Sequence, residues 1–129
     1  MVNWHLDEKD IAIEDLYKEH HTAAFYTRIW EEVEDEQVAY QKLQAQKESV
    51  QELNTNWEFA GFYYDKFFQE KVGFEKLKAD GAAGKLDLLI VETLASIENN
   101  FPVCLDMVRQ LQNMNPPITV YVKGMGRVY

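Results

Sequence analysis

The chain predicts a three-layer α/β fold, a mostly parallel sheet of about four strands with helices on both faces, and three observations carry that expectation. Short β-favouring runs alternate with longer amphipathic ones in the order strand, helix, strand, helix, strand, helix, strand. Glycine, asparagine and proline clusters keep the connections short. The runs at 57–64 and 86–91 are apolar almost throughout rather than alternating, as strands buried on both faces should be.

The first strand is read from Ala24-Phe25-Tyr26-Thr27-Arg28-Ile29-Trp30, rich in aromatic and β-branched residues. The acidic run at 31–36 then sits where a helix N-terminus favours negative charge. Strong helix formers from 36 to 53 place Tyr40, Leu43, Val50 and Leu53 on one stripe. Asn54-Thr55-Asn56 breaks that helix, the second strand follows at 57–64, and Asp65 stands directly at its end. A helix at 73–83 turns Phe74 and Leu77 inward and stops at the glycines near 84. The strand at 86–91 leads into the polar loop Ser96-Ile97-Glu98-Asn99-Asn100. A helix at 102–114 follows, with Val103, Met107, Val108, Leu111 and Met114 at helical spacing, and Pro116-Pro117 separates it from the last strand, 118–122.

At 129 residues and 47% hydrophobic content the chain suits one compact domain, expected over 23–129 behind an N-terminal extension, 1–22. The extension carries Leu6, Ile13, Leu16 and Tyr17 as either a short amphipathic helix, capped by Asp7 or Asp10, or a loosely ordered lead-in. No segment approaches the roughly 20 apolar residues of a membrane helix, and the acidic start lacks the features of a signal peptide, so a cytoplasmic protein without membrane contact is expected. The single cysteine, Cys104, falls among apolar helix positions and reads as a packed thiol. His20 and His21 are neighbours whose side chains diverge in any regular structure, which argues against a shared metal. A net charge of −9 predicts weak DNA binding by this domain alone and leaves protein partners open.

The pieces in this order resemble the N-terminal catalytic domain of the serine recombinases, the resolvase and invertase family, and its large-recombinase branch in particular. The resemblance spans roughly 23–123. It rests on Phe25-Tyr26-Thr27-Arg28-Ile29, the helix at 37–47, the aromatic strand ending in Asp65, Gly73-Phe74, the turn and strand at 83–91, the helix bearing Leu105, Val108 and Leu111, and Val120-Tyr121-Val122. It implies a resolvase-like fold and a chemistry in which a serine attacks a DNA phosphodiester two residues after an arginine, in a tyrosine-x-arginine-x-serine pattern. Here the pattern reads Tyr26-Thr27-Arg28-Ile29-Trp30, and tryptophan has no hydroxyl to attack with. The family's arginine before the glycine-phenylalanine pair is matched by Lys71, which keeps a charge and loses the bidentate fork. Two further family arginines fall on Ser96 and Asn99, neither of them cationic. Arg28 alone survives of the phosphate-binding set, and a surface ion pair is its expected role.

Losing the nucleophile and two charge-stabilising groups costs more than the roughly 3–4 kcal/mol of one electrostatic donor, so the expected protein is a pseudo-recombinase without catalytic residues, metal or cofactor. It would act through protein contacts, with itself or a related recombinase, in a DNA recombination or mobile-element setting. One alternative is a magnesium-dependent phosphate-handling enzyme in which Asp65 and Glu92, near the ends of neighbouring strands, share a cation. Another is a recombinase with a different nucleophile, Thr22, Thr27 or Tyr26, of which Tyr26 alternates onto the face of Arg28. Phe67 and Phe68, in an expected loop, and Phe62 and Tyr63 before them, are candidates for a partner surface. The family also implies a long helix and a DNA-binding region after the fourth strand, so the sequence corresponds either to a domain of something longer or to a stand-alone relic.

Overall fold

A computed structural model describes residues 16–29, 36–53, 55–66, 71–123 and 125–128. They form a five-stranded sheet in the order β2-β1-β3-β4-β5. The strands are β1 (His21–Ile29), β2 (Trp57–Lys66), β3 (Leu88–Val91), β4 (Thr119–Val122) and β5 (Gly126–Arg127). The helices are α1 (Glu36–Gln51), α2 (Val72–Ala82) and α3 (Phe101–Gln112), with a short 3-10 helix at Leu94–Ser96. The first four strands run parallel, as expected. The fifth was not anticipated: it is two residues long and antiparallel to β4, reached by a tight return in which Gly126 takes a φ of 95°.

Alternation along β1 and β3 sorts the core into two halves. Ala24, Tyr26, Leu89 and Val91 face α2 and α3, where they meet Phe74, Leu77, Met107, Val108 and Leu111. Ala23, Phe25, Leu88 and Ile90 face the other way, against Leu43 of α1 and Leu16. The layers are therefore helix, sheet, helix. Residues 16–18 are helical, and Leu16 is fully buried, its carbonyl accepting from the Trp57 indole at 2.9 Å. The other extension residues singled out above, Leu6, Asp7, Asp10 and Ile13, lie outside the described residues.

Three packing expectations are corrected. Strand β2 is not buried on both faces: it forms the sheet edge, and Phe59 is 46% exposed. Its aromatic run instead covers that edge, with Phe59 meeting Phe62 edge to face at 4.9 Å and Phe62 meeting Phe25 likewise at 6.0 Å between ring centroids. On α1 the inward stripe is Ala39, Leu43 and Gln46, while Tyr40 and, just beyond the helix, Leu53 are exposed. A small residue lets the helix approach the sheet, and a polar one interrupts the apolar signal that pattern reading follows. On α3 the buried position is Cys104 rather than Val103. The Cys104 thiol donates to the Leu94 carbonyl at 3.4 Å, and burial raises its pKa. Among the described residues no helix is long and apolar enough to cross a membrane.

The connection after β1 runs through α1 to β2 at one edge of the sheet, whereas the connection after β3 runs through α3 to β4 toward the other. That divergence opens a crevice beyond the C-terminal ends of β1 and β3, the place where open α/β sheets hold ligands.

Candidate functional site

Arg28 stands at the end of β1 with the same parity as Ala24 and Tyr26, which points it toward the α2 and α3 face. It is buried, 3% exposed, and not the surface residue expected of it. One guanidinium nitrogen donates to the Tyr26 hydroxyl at 3.3 Å, and the other lies 3.5 Å from Oε2 of Glu98. The ammonium of Lys71, just ahead of α2, approaches the same Glu98 oxygen at 3.4 Å. Arg28 and Lys71, far apart in sequence, are thus joined through one carboxylate from the polar loop before α3.

Glu98 is held from its other oxygen. Its Oε1 accepts from the backbone N–H groups of Asn99 at 3.0 Å and Asn100 at 3.4 Å, at the start of α3, where the helix dipole favours an anion. Asn100 caps that helix by accepting from the Val103 N–H at 3.2 Å. Burial raises the Glu98 carboxyl, but the Asn100 N–H and the charges of Arg28 and Lys71 outweigh it and hold the group below its ordinary value. Its side chain is 13% exposed, so these charges interact with little screening by water.

Asp65 ties the neighbouring strand and helix together. Its Oδ2 accepts from the Tyr26 hydroxyl at 2.6 Å and from the Phe74 N–H at 2.8 Å, and its Oδ1 accepts from the Gly73 N–H at 2.6 Å. The residue is 4% exposed and works as a cap for the first turn of α2. Burial, and then the charge and hydrogen bond of Asp65, raise the Tyr26 phenol well above its ordinary pKa against the opposing pull of Arg28. A fully buried, protonated phenol that donates to a carboxylate is poorly suited to attack a phosphodiester.

The remaining positions separate. Ser96 Oγ turns back on the 3-10 helix, accepting from the Thr93 N–H at 3.3 Å, and Asn99 is exposed. Trp30, Phe67 and Phe68 lie outside the described residues. Glu92 pairs with Lys123 at 3.7 Å and lies beyond β3, with β1 between it and the strand that carries Asp65. Both Asp65 oxygens accept hydrogen bonds from the fold, and no cluster of three or more histidine, cysteine or acidic residues is arranged for a metal among the described residues. His20 turns to Glu58 at 3.5 Å, while His21 turns to Glu19 at 2.8 Å and Asp87 at 3.2 Å.

The sequence alone did not point to Glu98, Gln46 or Lys123 as residues of the polar cluster or of the crevice beside it. A signal existed only for Glu98, as the lone carboxylate in a polar loop before a helix; the others are surface-type residues that the fold brings to the crevice.

The fold, a mostly parallel sheet with β1 inside and helices on both faces, resembles that of serine recombinase catalytic domains. The N-terminal catalytic domain of TP901-1 integrase is similar with a TM-score of 0.57 and 18% identity, over 78% of this chain and 75% of that one. A resolvase family site-specific recombinase from Streptococcus pneumoniae is similar with a TM-score of 0.56 and 20% identity, over 82% of this chain and 74% of that one. No family model and no curated protein matches the chain.

Proposed function

We propose that this domain is a recombinase-like module that does not cut DNA and acts through protein contacts in a DNA recombination or mobile-element setting. The observation that carries the reading is Glu98, whose carboxylate occupies the space between Arg28 and Lys71. In the resemblance these two positions belong to a phosphate-binding set. A cation already neutralised by an internal carboxylate offers little to a phosphate, since the incoming anion must displace the carboxylate or sit beside it. Ser96 and Asn99, at the two other positions, add no positive charge, and Trp30 at the nucleophile position carries no hydroxyl.

Contact through proteins is supported by the exposed apolar side chains that the scaffold presents, including Phe59 and Tyr40 beside the sheet edge and Phe101 on α3. Two measurements test the reading together. Sedimentation of the chain alone, and mixed with a serine recombinase from the same host, is expected to show association, while nicked duplex substrates are expected to trap no covalent protein-DNA adduct. An adduct would overturn the loss of catalysis, and a persistent monomer that ignores the recombinase would overturn the contact role.

A further inference from the structure

Between helix α1 and the edge strand β2 runs a furrow along which Tyr40, Leu53 and Phe59 are exposed. Its deeper part is a groove of about 220 Å³ walled by Val50, Leu53, Trp57 and Phe59, with Ala23 and Phe25 of β1 at the floor. A more open hollow follows along α1, lined by Tyr40, Ala45 and Phe62. The edge-to-face contact of Phe59 with Phe62 joins the two. Groove and hollow are centred about six residues apart on α1, roughly 9 Å along the helix axis. Side chains two turns apart on a facing helix, at i and i+7, span that distance.

Three features choose the occupant. The groove is smaller than the roughly 300–1,000 Å³ of small-molecule sites, so it suits one protruding aliphatic side chain and not a metabolite. Both concavities lie in one line, as the anchor sites for an amphipathic helix do. The rim is acidic: Glu58 lines the groove, Glu48 lines the hollow, and the exposed Glu52 stands between the groove residues Gln51 and Leu53. Against these carboxylates stand His20, 3.5 Å from Glu58, and Lys47, whose ammonium lies over the Phe59 ring at 4.1 Å. A second copy of the chain, itself at −9, would set like charges against that rim, whereas a basic helix is attracted to it.

We infer that the furrow receives a basic amphipathic helix of a partner protein. Large aliphatic residues at i and i+7 fill the groove and the hollow, and lysine or arginine faces Glu48, Glu52 and Glu58. Lys47 uncovers the groove by leaving the Phe59 ring, and cation–π contacts at exposed rings are weak. The inference rests on the protein-contact reading and gives it a surface and a partner chemistry.

NMR titration of the full chain with synthetic peptides tests it. The probe is an alanine-based helix of about 15 residues with leucine at i and i+7 and lysine beside them. One control replaces the lysines by glutamate, and another replaces the leucines by serine. The probe is expected to shift the signals of Ala45, Val50, Leu53 and Phe59, and to bind at least about tenfold more tightly than either control. The double variant Glu52→Gln, Glu58→Gln is expected to weaken binding by about fivefold at low salt and less at high salt. Phe59→Ser, at an exposed position, is expected to weaken it by about tenfold while the signals of α2 and α3 stay unchanged. Absence of shifts at these residues at about 1 mM probe would overturn the proposal, as would a control that binds equally well. Concentration-dependent shifts of the same residues without peptide would overturn it in favour of a second copy. Sedimentation that joins the chain to a recombinase while the furrow signals stay in place would sink this surface and leave the protein-contact reading intact.

Discussion

The Glu98 carboxylate reaches both Arg28 and Lys71 because it hangs between the 3-10 helix and α3, with one oxygen anchored by two backbone N–H groups and the other left for the cations. Removing its charge leaves a guanidinium whose side chain is 2% exposed without that carboxylate. Glu98→Gln is therefore expected to destabilise the fold by about 2–3 kcal/mol, read by urea denaturation at neutral pH. The pH dependence follows from the direction of the shift. A carboxyl with a depressed folded pKa contributes stability that is fully present above its ordinary value of about 4.3 and is lost as the pH falls through the folded value. Wild-type protein should lose more stability than Glu98→Gln on acidification from about pH 5 to pH 3, so the two denaturation midpoints should converge. A constant gap across that interval would show that Glu98 acts by packing and not by charge.

Strand β2 and helix α2 meet through backbone, and Gly73 is where they touch. A Cβ built on Gly73 would collide with the Tyr64 carbonyl oxygen and come within 3.1 Å of Asp65 Oδ1, so neither the strand nor the cap leaves room for a methyl group. Gly73→Ala is expected to cost at least about 2 kcal/mol by forcing the helix start away from the strand end and lengthening the bonds to Asp65. The measurable companion is faster amide hydrogen exchange at Gly73 and Phe74, whose N–H groups Asp65 holds. Unchanged exchange at both would mean that the junction relaxes elsewhere. The same junction explains why Asp65 serves the fold: the N–H groups of Gly73 and Phe74 at the start of α2 engage both of its oxygens.

The molecule as a whole is acidic, and several of its described cations, Arg28, Lys71, Lys78, Lys85, Lys123 and Arg127, are paired with carboxylates. Nonspecific affinity for duplex DNA comes from phosphates neutralised by free cations. The domain is expected to bind random duplex DNA more weakly than a Kd of about 10⁻⁴ M at physiological salt, measured by fluorescence anisotropy. Tighter, salt-sensitive binding would require a basic surface that the net charge does not suggest.

Fold class, element order and parallel pairing were legible from the sequence because hydrophobic periodicity and punctuation are local signals, carried within a single run such as 86–91 or by Pro116-Pro117. Even there the reading failed wherever position in the sheet mattered: β2 looked like a central strand and is an edge, since aromatic residues cover an edge as readily as they fill a core. The candidate site was half visible. Arg28, Lys71, Ser96 and Asn99 were named from a pattern, but the salt bridges from Glu98 to Arg28 and Lys71, the engagement of Asp65 by α2, and the gathering of Gln46 and Lys123 around one cleft all join residues distant in the chain. Contacts of that kind depend on how strands are ordered and where helices return. Local chemistry specifies which elements form, and only their packing sets which charges meet.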